Sequence, residues 1–212
     1  MRLHTYFRSS AAFRVRIALN LKGVTAEQAF VHLHRGEQAA ETFAGLNPHK
    51  LVPALEVDGR VLTQSLAIVE YLDETHPSPP LLPVHPLDRA RVRGLALAVA
   101  CDIHPLNNLR VLQRLKDGMG HAQEEVDAWY RHWIAVGLSG LEAQLAREPE
   151  TGRFCHGDAP TLADVALVPQ LYNARRFDCA LSAYPTLLRI DETCLALPAF
   201  ADALPERQPD AE

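Results

Sequence analysis

The sequence predicts an α+β amino-terminal domain followed by an all-α carboxyl-terminal domain. Three observations carry that reading. Over the first 76 residues the hydrophobic pattern switches repeatedly between strand and helix repeats. The stretch HPSPPLLPVHP at 76–86 is too rich in proline to be a helix or a central strand. From Asp88 onward apolar residues recur at helical spacing. The domain boundaries follow: 1–80, a proline-rich linker at 81–87, and a helical domain at 88–212.

The elements can be justified in order. Residues 3–6 read as a short strand, followed by the loop FRSSAAFRVR at 7–16. Ala11, Val15, Ala18 and Leu19 fall at helical spacing, and Gly23 sits where a C-cap belongs. Ala29, Val31 and Leu33 alternate with other residues, which predicts a second strand. A helix between two nearby strands makes a βαβ unit with a parallel pair. Residues 37–46 have helix-forming composition and stop at Asn47-Pro48. In LVPALEVDGRVLTQ (51–64), Asp58-Gly59 between two β-rich runs predicts a hairpin. Ser65 then serves as a candidate N-cap for a helix over 66–73 with Ile68, Val69 and Leu72 on its apolar face. Beyond the linker, helices are expected near 88–116, 123–146, 161–175 and 185–195. Thr161 and Asp164 form a capping box with Asp in place of Glu.

Composition excludes several classes. Hydrophobic residues make up 48% and charged residues 22%, the balance of a globular protein with a core. A net charge of −5 argues against a general nucleic-acid-binding surface. The start, MRLHTYFRSS, lacks the apolar run of an export signal, and the longest apolar stretch, 95–101, is too short to span a bilayer. Cys101, Cys155, Cys179 and Cys194 form no CxxC pair, so buried, reduced thiols in a cytoplasmic protein are expected.

Several residues could carry chemistry. Ser9 and Ser10 lie between strand and helix, where a hydroxyl either caps the helix or donates a hydrogen bond to a ligand. Gln64-Ser65 precedes a helix whose free N–H groups suit a carboxylate, although an ordinary cap accounts for the pair equally well. His104 and Asn108 are four apart and would share a helical face, with Pro105 disturbing the helix against the carbonyl of Cys101. A buried capping network is the rival reading there. Zinc is disfavoured, because no second His or Cys accompanies His104 at ligand spacing. Arg89, Arg91 and Arg93 are taken as solvated surface charges.

The order β-α-β-α-β-β-α, with Val-Pro before the hairpin, resembles a thioredoxin-like domain. Joined by a proline-rich linker to a helical half, it resembles the plan of cytosolic glutathione transferases. YFRSSAAFRVRIALNLKG, LNPHKLVPALEVDG, LTQSLAIVEYLDETHP, DIHPLNNLRVLQRL and GDAPTLADVALVPQLYNARRF resemble the zeta class in its order, over nearly the whole chain.

The resemblance implies a thioredoxin-like amino-terminal domain that binds glutathione as cofactor. It implies that Ser9 hydrogen-bonds the glutathione sulfur, with Ser10 and Ala11 beside it, and that Ser10 helps with charge developing on the substrate. Val52-Pro53 would occupy the cis-proline position, with the Val52 backbone against the cysteinyl part. Gln64 and Ser65 would grip the γ-glutamyl carboxylate, and Gln38 and Lys50 the glycyl end. Asp102, His104, Asn108 and Arg110 would face the glutathione. Arg8, Arg110 and Arg176 would hold the carboxylates of a small unsaturated keto-dicarboxylic acid, with Arg14 and Arg175 as alternatives.

The implied activity is glutathione-dependent cis–trans isomerisation of maleylacetoacetate. Maleylpyruvate is the alternative substrate, and a non-catalytic interaction module the alternative of another class. A glutaredoxin-like reductase would need a loop cysteine, and Ser9, Ser10, Ala11 and Ala12 supply none. Where the family often has cysteine, this chain has Ala11. A homodimer without metal, nucleic acid or membrane is expected.

Overall fold

The computed structural model describes residues 1–212. The chain divides into two compact units, Met1–Leu81 with Leu195–Glu212, and Leu82–Cys194. The last residues, read from sequence as the end of the helical domain, therefore group with the first unit. The expected linker divides between Leu81 and Leu82.

In the first unit, β1 (Arg2–Thr5), β2 (Glu27–Phe30), β3 (Ala54–Val57) and β4 (Arg60–Thr63) form one sheet in the order β2-β1-β3-β4. β1 and β2 are parallel, as the intervening helix α1 (Ser10–Lys22) requires, and the other pairs are antiparallel. Val57 pairs with Arg60 around the two-residue turn Asp58-Gly59, where both residues adopt positive φ (49° and 73°), as a type I′ hairpin demands. The second strand ends at Phe30 rather than Leu33, which lies in a 3-10 turn. The helix expected over 37–46 is interrupted, because Ala40 is extended between a 3-10 turn (Glu37–Ala39) and α2 (Glu41–Leu46).

α1 packs against α3 (Ser65–Thr75), and Phe13, Ile17, Ile68 and Leu72 from the two helices join Leu3 and Leu55 of the sheet in the core. Each such side chain contributes about 1.5–3 kcal/mol by burial. Gly23 ends α1 in the left-handed conformation, with its N–H on the Asn20 carbonyl. The Lys22 ammonium pairs with Asp73 at 2.6 Å and donates to the Pro79 carbonyl, and Asp73 also accepts the Leu81 N–H. The proline-rich segment is thereby tied to the first unit. Val52–Pro53 and Ser78–Pro79 are cis.

In the second unit, α4 (Pro86–Leu97) packs against α7 (Leu162–Arg176), with α6 (Gln123–Arg147) and α8 (Pro185–Leu195) completing the long helices. The helix expected over 88–116 is broken. α4 gives way to a π turn (Ala98–Ile103), a 3-10 turn (His104–Asn107), α5 (Leu109–Gln113) and a second π turn (Arg114–Gly118). Pro105 accounts for the break, since its ring excludes the carbonyl four residues back and it has no N–H to donate.

Thr161 and Asp164 do cap α7. The Asp164 carboxylate accepts from the Thr161 N–H and hydroxyl and from the Cys155 N–H, each at 2.8 Å. Burial pushes this carboxyl above its ordinary range even though those hydrogen bonds oppose it.

Two surface expectations are corrected. Arg91 is not a solvated charge. Its guanidinium donates to Glu148 (2.7 Å), to Thr151 Oγ1 (2.9 Å) and to the Cys155 carbonyl (2.8 Å), stitching α4 to the turn after α6. Of the cysteines, Cys155 and Cys194 are buried, but Cys101 is exposed because it faces out from the π turn. At the end of the chain, α9 (Pro198–Ala201) packs on α1.

Candidate active site

Strand register gathers the sequence-predicted residues of the first unit at one end of the sheet. Thr5 pairs with Phe30, His4 with Ala54, and Ala54 with Thr63. The carboxyl ends of β1, β2 and β4 and the amino end of β3 therefore lie together. From those ends emerge the loop bearing Arg8 and Ser9, the segment reaching Gln38, the Lys50-to-Pro53 approach to β3, and Gln64-Ser65. Tyr6, Phe7, Val31, Phe43, Val52 and Ala54 form a buried apolar cluster under this end, so the serine loop and Val52 share one foundation.

Ser9 is the N-cap of α1, and its Oγ accepts the Ala12 N–H at 3.2 Å. A serine hydroxyl has one proton and two lone pairs, so accepting from Ala12 leaves the proton available to donate. Capping and ligand binding are compatible at Ser9. Ser10, the first residue of α1, is buried, and Ala11 is half-buried beside it.

Ser65 differs from the expected N-cap. The cap of α3 is Gln64, with φ 68°, and Ser65 is the first helical residue. Across the helix pair, Ser65 Oγ accepts from Arg14 Nη1 at 3.2 Å. Gln64 makes no side-chain capping bond, so the amino end of α3 keeps the uncapped N–H groups that suit an anion. Gln38 points a buried Oε1 at no hydrogen-bond partner, and Lys50 is exposed at positive φ (56°). Arg14 is fully buried and belongs to the fold behind the site.

The second unit brings a different set together around Tyr130 of α6. Asn107 donates from Nδ2 to the Tyr130 carbonyl (2.9 Å), and the Trp129 indole N–H donates to the Leu106 carbonyl (2.8 Å), which pins the 3-10 turn. Phe177 stacks on the Tyr130 ring with centroids 3.6 Å apart, and the Arg176 guanidinium lies over Phe177. Burial pushes the Tyr130 hydroxyl up, against the opposing charge of Arg176.

His104 and Asn108 do not share a helical face. His104 starts the 3-10 turn, while Asn108 is extended and caps α5 by accepting the Arg110 N–H at 3.2 Å. Asp102 and Arg110 are exposed. Arg175 is engaged elsewhere, in a 2.5 Å pair with buried Asp191.

Sequence reasoning missed Arg16, whose guanidinium is buried against the backbone of Tyr6 and Phe7. The available signal was two arginines inside a helix whose other positions are almost all apolar. It also missed Asp210, for which no local signal exists.

A thioredoxin-like unit with a helical unit after it defines the general class, that of the glutathione transferases. The family model "Glutathione S-transferase, N-terminal domain" matches residues 1–74, and "Glutathione S-transferase, C-terminal domain" matches residues 123–193. A probable maleylacetoacetate isomerase of Vibrio cholerae is 54% identical over 99% of this chain and 97% of its own. A maleylpyruvate isomerase of Ralstonia sp. is 47% identical over the full length of both. Among solved structures, the holo form of a zeta-class maleylpyruvate isomerase superposes with TM-score 0.98 at 47% identity, covering both chains fully. A maleylacetoacetate isomerase of Methylobacterium extorquens with bound malonate and glutathione gives 0.97, at the same identity and coverage. The chain belongs to the glutathione S-transferase family, in its zeta class.

Proposed function

We propose that this protein catalyses the glutathione-dependent cis–trans isomerisation of maleylacetoacetate to fumarylacetoacetate. The observation that carries the proposal is the convergence of Ser9, Val52-Pro53 and the uncapped start of α3 at one end of the sheet. The groups present fit the tripeptide. The α3 amino end with Ser65 and Gln64 takes the γ-glutamyl carboxylate. Val52 offers its backbone to the cysteinyl part like an added strand. Gln38, with its unpaired Oε1, and Lys50 face the glycyl end.

Glutathione, when bound, supplies a thiolate that adds reversibly to the conjugated cis double bond, so the bond can rotate before the thiolate leaves. Ser9 keeps the thiol ionised by a hydrogen bond from its hydroxyl to the sulfur, the proton staying on the serine oxygen. A free thiol titrates near 8.5, and lowering it by ~2 units takes ~2.7 kcal/mol of preferential stabilisation. One charge-assisted hydrogen bond at a helix amino end is of that size. Ser10 and Ala11 contribute at the same helix start, Ser10 as a donor to the developing enolate. Arg8 offers a guanidinium to one substrate carboxylate, so that one end is held while the other swings.

Maleylpyruvate is the second reading, supported by the TM-score of 0.98 to an isomerase of that acid. No helix is long and apolar enough to cross a membrane. A cytoplasmic homodimer completes the proposal, and the exposed apolar residues Val61, Leu97 and Val136 are available for such contacts.

Steady-state rates on both acids, with and without glutathione, test the reading. Turnover is expected only with glutathione and faster on maleylacetoacetate. Ser9→Ala should lower kcat about 100-fold with the fold intact. Glutathione-independent turnover, or none at all, would overturn the reading.

A further inference from the structure

We infer that Asp210, near the end of the chain, is a positioning residue for the serine loop, acting through the backbone of Phe7. The turn that carries Arg8 and Ser9 is held from both sides. Ser9 N–H closes it on the Tyr6 carbonyl at 3.0 Å. Asp210 Oδ2 accepts the Phe7 N–H at 2.9 Å, across 203 residues of sequence. Arg16 Nη2 donates to the Phe7 carbonyl at 3.0 Å and Nη1 to the Tyr6 carbonyl at 3.4 Å.

The same guanidinium reaches the Ala203 carbonyl from Nε (3.2 Å) and Nη2 (3.1 Å), so it joins the loop to the chain's last segment. That segment is itself fixed. Gln208 is buried and donates to the carbonyls of Asp202 and Leu204, each at 2.9 Å. Glu212 pairs with Arg35 at 2.9 Å and lies 3.0 Å from His32 Nε2.

Phe7 thus has both backbone polar groups held by side chains from elsewhere, and the Arg8 guanidinium stacks 4.8 Å from its ring. Ser9 follows two residues later. A hydroxyl that must meet a sulfur within hydrogen-bond distance gains from a fixed turn, because misplacement weakens a charge-assisted bond steeply. The inference rests on the reading that Ser9 holds the glutathione sulfur. It predicts an effect on ionisation of the bound thiol more than on retention of the tripeptide, which Val52, Gln64 and Ser65 hold.

The test is a pH titration of bound glutathione by the ultraviolet absorbance of its thiolate, with kcat and glutathione affinity measured in parallel. Asp210→Ala should raise the bound thiol pKa by about half a unit to one unit and lower kcat about 3- to 10-fold. Glutathione affinity should stay within about twofold. Asp210→Asn keeps an accepting oxygen and should recover most of the difference. If the alanine variant fails to fold, Asp210→Glu, which displaces the acceptor by one methylene, should shift the thiol pKa in the same direction.

An unshifted thiol pKa in these variants, when Ser9→Ala does shift it, would overturn the role of Asp210 alone. An unshifted value in Ser9→Ala as well would overturn the reading of Ser9 along with it. Equal losses of affinity and kcat would mark Asp210 as merely structural and also overturn the inference.

Discussion

At the scale of single residues, two serines of the first unit stand at helix starts and have one hydrogen bond each accounted for by the fold. Ser65 illustrates this. Its Oγ accepts from the buried Arg14 guanidinium, which leaves its own proton available to donate. On the proposed reading, that proton is the one offered to the γ-glutamyl carboxylate of glutathione. Ser65→Ala should therefore raise the KM for glutathione about 10-fold with little change in kcat, because the lost contact is made equally in ground and transition states. Initial rates at varied glutathione check this, and a loss confined to kcat would contradict it. Ser9 is the complementary case, since its hydroxyl accepts from the local backbone and its proton remains for the sulfur contact proposed above.

At the scale of elements, the segment bearing His104 and Asn108 is irregular helix pressed against α6, and a glycine makes the fit possible. A Cβ on Gly137 would lie 2.2 Å from Ile103 Cγ1 and 2.3 Å from Cδ1. Ile103 is fully buried at the end of the π turn and has nowhere to withdraw. Glycine to alanine inside an exposed helix gains about 1 kcal/mol from propensity. Overpacking a rigid contact costs about 1–3 kcal/mol, and a separation this short lies at the upper end. Gly137→Ala should thus destabilise by about 1–2 kcal/mol net, measured by urea unfolding. A stabilised variant would show that the two helices can separate at no cost.

Elements set by nearby chemistry were legible in the sequence. Gly23, Asp58-Gly59 and the Thr161–Asp164 box each specify a local backbone geometry, and each is found. What was not legible depends on partners distant in sequence. Ser65 is bound by Arg14, Arg91 is held by Glu148, and Phe7 is held by Asp210. Pro105 announced a break in the helix, but the run of π and 3-10 turns around it follows from packing on α6.

At the scale of the whole molecule, the carboxyls that the fold shifts fall into two groups with opposite consequences for stability. Burial raises the carboxyls of Asp164 and Asp191, the latter against the opposing charge of Arg175. Glu148 is lowered: burial pushes it up, but hydrogen bonds from Arg91 and Gln144 and the charges of Arg91 and Arg147 outweigh that. A lowered carboxyl supplies stability that is present above its unfolded pKa and lost as pH falls through the folded value. A raised carboxyl does the reverse. Between its ordinary pKa near 4 and its folded value, the folded protein holds a proton that the unfolded chain has released, so its contribution shrinks as pH rises.

Asp164 allows the two signs to be separated, because Asp164→Asn removes one raised group and leaves Glu148 unchanged. The variant should be less stable at acid pH. Near pH ~4 the folded Asp164 is the neutral acid, with one O–H to place, whereas the amide brings two N–H donors to a site built of the Cys155 and Thr161 donors, and an unmet buried donor costs about 1–3 kcal/mol. The gap between wild type and variant should be widest near pH ~4. It should then close by about 1.4 kcal/mol per pH unit until the folded pKa is passed, and stay level beyond it. Urea unfolding of both proteins across that range gives the gap directly. A gap that widens with rising pH would mean that the hydrogen bonds at the start of α7 outweigh burial, and that Asp164 belongs with Glu148 among the groups that protect the fold above acid pH.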